Sequence, residues 1–403
     1  MSKTDRASSN SSMKFDTQLA HLGRRPTVKG GHAVNVPVVH ASTILFDSVE
    51  QMKEATQNRS DPNWIHYGRG GTQTHVALQE SVAELEGAHA ALCVPSGLAA
   101  VVVSILSQVK AGDHLLVADS VYAPTRGFCE GFLKRFGVET DYYAPLDLDD
   151  LRRKLRPETR VVYTEAPGSL TFEMQDIPAI SEVAHAHGAK VILDNTWATP
   201  MYFKSFAHGV DISVHAGTKY IVGHSDAMLG LVLTNDETTA AAQRQADLLG
   251  YACGPDDIYL ALRGLRTLSV RLERHQKNAL ALCNWLSQRQ EVSRLFYPAL
   301  PDDPGHKIWK RDFLGASGLF AVELQPVSDE SVGAFLNSLE LFGMGYSWGG
   351  YESLAIPTNP SDYRTATSWN GRGPTLRLHA GLEDAADLVQ DLEQAFVQLR
   401  AGQ

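Results

Sequence analysis

Short apolar runs alternating with helix-patterned stretches constrain this chain more than any other feature. From Thr74 onward the runs are Ala90–Val94, Leu115–Ala118, Val161–Thr164, Val191–Leu193, Ile212–Val214 and Leu229–Leu233. Val191-Ile192-Leu193 is apolar at both alternation phases. Such a strand belongs inside a parallel sheet, where crossover helices cover both faces. The intervening segments fit crossovers. His75–Glu86 reads as a helix ended by Gly87, and Pro95-Ser96-Gly97 opens another that runs to about Lys110. The middle of the chain is expected to be α/β with a mostly parallel sheet.

The flanks read differently. Residues 13 to 63 lack sustained periodicity and carry Pro26, Pro37 and Pro62, the signature of an extended arm with a short helix at most. The first twelve residues are polar and Ser-rich without an apolar signal-peptide core, and read as a disordered leader. After the sheet region, Ile258, Leu262, Leu265, Leu268, Leu272, Ala279, Cys283 and Leu286 recur at helical spacing, broken only by Gln276. That stripe predicts one long amphipathic helix. Strands at Leu319–Leu324 and Leu376–His379 then mix with helices at Ser331–Leu339 and Glu383–Leu399. The chain divides into a leader and arm (1–63), a large α/β domain (64–256) and a C-terminal α+β domain (257–403).

Composition removes several function classes. A chain of 403 residues, 43% apolar and 20% charged, buries a large core without disulfide staples. It carries 36 basic and 46 acidic residues, a net charge of −10, and no basic block to attract nucleic acid. The longest apolar run, Leu98–Leu106, is interrupted by Ser104 and is too short to cross a membrane. Cys93, Cys129, Cys253 and Cys283 show no CxxC and no zinc spacing, so they read as reduced thiols of a cytoplasmic protein. His185, His187, His215 and His224 form no ligand pattern with carboxylates and read as structural; no metal is expected.

Three positions invite chemistry. Asp194 ends the Val191–Leu193 strand, where open α/β sheets bind ligands, and reads as either a loop cap or a partner for a buried cation. Lys219 follows the Ile212–Val214 strand and is either a solvated surface residue or an amine that forms a Schiff base. Ser96-Gly97-Leu98 opens a helix, which is an N-cap by itself and a phosphate cradle in the right company. No P-loop lysine accompanies it, and no GxGxxG follows a strand, which removes nucleoside triphosphates and nicotinamide dinucleotides. Together the three match what pyridoxal 5'-phosphate needs: a held phosphate, a carboxylate for the ring nitrogen and a lysine for the aldehyde. Tyr122, after another strand-like run, is placed to stack on the ring or to pack in the core.

At the lysine, Ala216-Gly217-Thr218-Lys219-Tyr220-Ile221-Val222-Gly223-His224-Ser225-Asp226 resembles the highly specific signature of the Cys/Met metabolism family of pyridoxal phosphate enzymes. The resemblance runs from about Thr17 to Leu399. Tyr67-Gly68-Arg69 resembles the arm motif that reaches the phosphate of the neighbouring subunit, and Asp194-Asn195-Thr196 the cofactor-aspartate motif. Arg377 resembles the arginine that forks onto the substrate carboxylate. The implied architecture is fold-type I, a mostly parallel seven-stranded sheet domain plus a smaller α+β domain. The implied catalytic residues are Lys219, Tyr122 and Asp194. The implied cofactor contacts add Ser96, Gly97, Leu98, Thr218, Tyr67 and Arg69. Sites shared between subunits imply a homo-oligomer, in this family a dimer of dimers.

Within the family, Trp197, Ser169 and the stretch Tyr346-Ser347-Trp348-Gly349-Gly350-Tyr351-Glu352-Ser353 resemble β-cleaving members. The implied reaction is β-elimination of a thioether amino acid, L-cystathionine, to homocysteine, pyruvate and ammonia in methionine biosynthesis. Arg377, Tyr346, Ser347, Trp348 and Ser169 are the implied substrate contacts, with Tyr346 disfavouring γ-cleavage. Alternatives on this scaffold are a γ-lyase or γ-synthase and a broad carbon–sulfur β-lyase or cysteine desulfhydrase. A non-catalytic binding protein is disfavoured by Lys219, Asp194, Tyr122 and Arg377 occurring together. Two positions depart from the family pattern. Ala216 replaces a serine that helps bind the phosphate, and Ala166 replaces another serine.

Overall fold

A computed structural model of the chain describes residues 13–24, 33–59, 61 and 64–401. The leader, Pro26 and Pro62 lie outside the described residues. Seven strands form the large sheet: β1 (Ala90–Val94), β2 (His114–Ala118), β3 (Glu139–Tyr143), β4 (Thr159–Glu165), β5 (Lys190–Asp194), β6 (Ile212–Ala216) and β7 (Gly230–Thr234). Their order is β1-β7-β6-β5-β4-β2-β3. β7 runs antiparallel to both neighbours, and every other pairing is parallel. The six predicted runs are all strands. The seventh, β3, is a half-exposed edge strand, Glu-Thr-Asp-Tyr-Tyr, with no apolar face to betray it.

In β5, Val191 and Leu193 belong to one buried apolar cluster and Ile192 to the other. The two-sided burial inferred from the sequence is thus a property of the strand's two faces. Burying each such side chain contributes about 1.5–3 kcal/mol, before the entropy of ordering it.

The crossover helices begin and end where their caps dictate. Helix Gln73–Glu86 carries a capping box between Thr72 and His75, and Gly87, at φ 77°, closes it. Helix Gly97–Leu106 starts at Ser96, whose hydroxyl accepts from Ala99 N. It stops four residues short of the expected Lys110, where the Lys110 N–H turns to the Asp113 carboxylate.

Three further expectations are corrected. The arm holds two short helices, Phe15–His21 and Val49–Gln57. The second forms because Ser48 caps the Gln51 N–H. The single long helix is two, Pro255–Leu265 and Leu268–Leu286. Their break at Arg266-Thr267 is bridged by Arg271, which reaches back to Gly264 O and Thr267 Oγ1. Gly264 sits against the carbonyls of Ile221 and Val222, just after Lys219, so the break fits the helix pair to that loop. The smaller sheet has four antiparallel strands where two were expected: β8 (Val292–Phe296), β9 (Leu319–Leu324), β10 (Leu354–Thr358) and β11 (Thr375–His379). Their order is β10-β11-β9-β8. The two missed strands are its edges, one irregular in register and one carrying Pro357.

Candidate active site

β1 and β6 each run antiparallel to β7, so they point the same way as each other and as β2, β4 and β5. The carboxyl ends of these five strands share one edge. That topology gathers Ser96-Gly97-Leu98, Tyr122, Ser169, Asp194 and Lys219, residues up to 123 positions apart, because open sheets bind ligands at this edge.

Lys219 is half-buried in the turn after β6, and its ammonium donates to Ser347 Oγ at 2.5 Å. The same nitrogen lies 5.1 Å from the Trp348 ring centre. Burial pushes the amine down to about 8; the Arg377 charge adds to this and Asp194 opposes it. The loop bearing Ser347 presses directly on the lysine. Ser347 has φ 84° and Gly349 φ 88°. A Cβ on Gly349 would lie 3.0 Å from Lys219 Cα, so this position requires glycine. Sequence reasoning placed Ser347 with the substrate contacts; its hydroxyl also serves the lysine.

Asp194 is held from behind. Thr196 donates through N and Oγ1 to Asp194 Oδ1, and Thr196 Oγ1 accepts from Ala216 N at 2.9 Å. Opposite Asp194, in register on β4, stands Glu165. Burial pushes both carboxyls up, and the Asp194 charge adds to this at Glu165, which lies well above its usual range. Glu165 Oε2 accepts from the Tyr122 N–H at 2.7 Å. Glu165 and Thr196 were missed as site residues, although Glu165 ends its apolar run as Asp194 ends the next one.

The helix start at Gly97 meets β6 closely. A Cβ on Gly97 would lie 2.6 Å from the Ala216 Cβ. Ser96 Oγ serves as the cap, whereas the N–H groups of Gly97 and Leu98 have no partner among the described residues. Thr218 Oγ1 is bound to the backbone of Leu229. Two free amides at a helix start, a lysine with a lowered pKa and a braced aspartate are the donor set that a phosphorylated pyridine aldehyde requires. The residues fit pyridoxal phosphate.

Tyr122 is 46% exposed. Burial of its phenol, with Glu165 and Asp194, raises its pKa, and Arg377 lowers it. Arg377 donates to Ser347 O at 2.9 Å, and burial brings its guanidinium down to about 10. Other predicted residues stand apart. Tyr346 is 93% exposed. Tyr67 is exposed, and Arg69 binds Asp247 through O at 3.2 Å and Oδ1 at 3.5 Å. Ser169 N donates to Ser120 O at 2.7 Å, which fastens its loop to that of Tyr122. Trp197, read as a mark of β-cleavage, is only 5% exposed. Its indole donates to Leu319 O, and its ring packs edge-on against Tyr297 and Phe313. Among the described residues no group of three or more His, Cys, Asp or Glu is arranged to hold a metal, and no helix is long and apolar enough to cross a membrane.

Comparison with known proteins points to the same cofactor. A Rhizobium johnstonii protein is 50% identical over 95% of this chain and 96% of its own. Cystathionine β-lyase MetC of Escherichia coli is 42% identical over 96% of this chain and 99% of its own. The crystal structure of metB from Corynebacterium glutamicum matches with a TM-score of 0.88 and 30% identity, over 96% of this chain and 99% of that one. The family model for Cys/Met metabolism PLP-dependent enzymes matches residues 16–397. The chain belongs to the Cys/Met metabolism family of pyridoxal phosphate-dependent enzymes.

Proposed function

We propose that this protein is a cystathionine β-lyase, which splits L-cystathionine, with one water consumed in hydrolysis of the eliminated fragment, into homocysteine, pyruvate and ammonia. The observation that carries the reading is the Lys219 amine held by Ser347 and Trp348, with Asp194 and Arg377 the charges that bear on it. The likeness to the E. coli enzyme of that name supports the choice of substrate.

Bound pyridoxal phosphate supplies an electron sink for the charge left at the substrate Cα. The free N–H groups of Gly97 and Leu98 hold the phosphate, with Ser96 ordering the turn. Asp194, braced by Thr196, keeps a proton on the ring nitrogen. Tyr122 covers the ring face, and its phenol, raised by burial, stays protonated at neutral pH. Arg377 binds the α-carboxylate and sets the Cα–H bond toward Lys219. Lys219, with a pKa near 8, is poised to take the Cα proton and return it to the departing sulfur. Ser347 Oγ keeps the amine in place between those transfers. Thr218 supports the lysine turn through Leu229, and Ser169 holds the loop beside Tyr122.

Several finer points belong to the same reading. Tyr67 and Arg69 complete the phosphate site of a neighbouring subunit, which fits an exposed Tyr67; Arg69 would exchange its Asp247 ion pair for the phosphate. The active form is then a dimer of dimers in the cytoplasm. Tyr346, exposed in the protomer, narrows the site against γ-cleavage. The domain boundary lies near Asp256.

Product identification by mass spectrometry, with added pyridoxal phosphate and L-cystathionine, tests the reading. Pyruvate with homocysteine is expected. Oxobutyrate with cysteine would overturn it in favour of γ-cleavage.

A further inference from the structure

Alternate residues of a strand share a face, so Arg377 and His379 of β11 point the same way. Both reach the loop that lies on Lys219. Arg377 donates to Ser347 O. The Gly349 N–H donates to His379 Nε2 at 3.2 Å, and His379 Nδ1 lies 3.0 Å from Glu352 O. An amide N–H only donates and a carbonyl only accepts. The ring is therefore neutral, with its proton on Nδ1 and both nitrogens satisfied. His379 is 1% exposed, among the rings of Tyr220 and His275. Burial, and then His275, holds its pKa well below the usual histidine range, with Arg377 and Lys219 adding to the effect. The clasp is thus built to stay uncharged. Three backbone groups of residues 347–352 are tied to one strand face. Between the ties stand Ser347 and Trp348, the two side chains that hold the Lys219 amine.

We propose that His379 is a positioning residue for the elimination: its clasp on Gly349 and Glu352 sets the loop that holds the Lys219 amine. The proposal rests on the reading of Lys219 as the catalytic base. Its chemistry runs through Ser347. Ser347 Oγ accepts from the ammonium and so favours the charged form. Loosening the loop weakens that acceptance and lowers the pKa of Lys219.

The test compares His379→Leu, His379→Asn and His379→Gln, each alone and combined with Ser347→Ala. Leucine loses both bonds. Asparagine keeps a donor near Glu352 O and loses the acceptor for Gly349. Glutamine returns an acceptor to about the place of Nε2. Two readouts are taken on the full-length protein. One is kcat and KM for L-cystathionine. The other is the pH dependence of pyridoxal phosphate uptake by cofactor-free protein, which reports the apparent pKa of Lys219. His379→Leu and His379→Asn are expected to lower kcat about 10- to 100-fold, as displaced reacting groups do. They should also shift the Lys219 pKa down by about one unit, what a hydrogen bond to a charged group is worth. Glutamine should recover most of both. With Ser347→Ala already present, the added loss should shrink below about threefold, because the two changes break one path.

An unmoved Lys219 pKa, with losses that multiply fully in the double variants, would overturn the proposal and leave His379 as packing. Should the leucine variant not fold, the asparagine and glutamine pair carries the same comparison. If the wild type yields oxobutyrate, the assignment as a β-lyase falls, yet uptake by the cofactor-free protein still decides the role of His379.

Discussion

Glu86 ends its helix with its carboxylate wholly inside the protein and collects four donors there. His215 Nε2 lies 2.6 Å from Oε2. Asn195 Nδ2 at 3.0 Å, Ser213 Oγ at 2.6 Å and Ser205 Oγ all reach Oε1. Burial pushes the carboxyl up, but the His215 charge and these bonds outweigh it, so its pKa is lowered and Glu86 is charged. Glu86→Gln keeps the Oε1 acceptor and sets an amide N–H against the His215 N–H. Relief requires the ring to present a bare Nε2 and to keep its proton on Nδ1 alone, a buried atom with no partner among the described residues. Leaving one member of a buried pair uncompensated costs about 3–5 kcal/mol. At roughly 2 °C per kcal/mol in a chain of this size, Tm of the cofactor-free protein should fall about 6–10 °C, read by circular dichroism. Replacing both members, Glu86→Gln with His215→Gln, restores a donor and an acceptor and should recover at least half of the loss. The linkage has a definite sign. A lowered folded pKa gives stability that is present above the ordinary glutamate value and lost as pH falls through the folded one. The glutamine variant should therefore lose part of that acid limb. An unchanged Tm in the single variant, or a double variant that falls by the sum of two single losses, would refute the charged-pair reasoning.

Three more outcomes follow from the same geometry. Lys219→Ala should abolish activity and the visible absorption of bound cofactor while Tm of the cofactor-free protein stays the same or rises, since the variant no longer desolvates an amine. Gly97→Val places a Cβ 2.6 Å from the Ala216 Cβ at the helix start. Equilibrium dialysis should find pyridoxal phosphate affinity reduced at least about tenfold, the effect of roughly 1.4 kcal/mol. Asp119 accepts from Arg126 at 2.6 Å and from the backbone of Thr365, Ala366 and Thr367. Burial raises its pKa, but the Thr365 N–H and its fellow donors outweigh that, leaving it lowered. Asp119→Asn should free the loop around Thr365 to proteolysis at neutral pH, and the wild-type loop should become equally sensitive as the pH drops through the folded pKa.

How far the fold was legible tracks how much of each element is buried. Val191-Ile192-Leu193 announces an interior strand because both of its faces are covered. Glu139–Tyr143 is silent because an edge strand needs no apolar face, and Leu354–Thr358 misleads because Pro357 is tolerated only at such an edge. The reversal of Gly230–Thr234 is invisible for a different reason. A strand inside a sheet has the same composition whichever way it runs, and the stretch of chain between Ala216 and Gly230 is long enough for either direction. The split of the Ile258–Leu286 stripe is equally hidden, since the apolar spacing runs from Leu265 to Leu268 across the helix break without a skip.

Site residues divide along another line. Lys219 and Asp194 stand at strand exits, where position alone confers a role, and their chemistry is legible from residue type. Glu165 and His379 touch partners far away in sequence, and that distance carries no signal: Glu165 meets Tyr122 across 43 residues, and His379 meets Gly349 across 30. Glu165 was within reach, being the carboxylate that ends β4 as Asp194 ends β5. Trp197 shows that closeness in sequence to a site residue need not bring a side chain into the site. Adjacent to Thr196 in sequence, it lies in the turn between β5 and helix Thr199–Tyr202, and its indole is bound inward to Leu319 O of β9. Proximity along the chain predicts a shared site only while the backbone stays extended. At a strand exit that folds into a turn, successive side chains diverge, and the next functional neighbour comes from another strand.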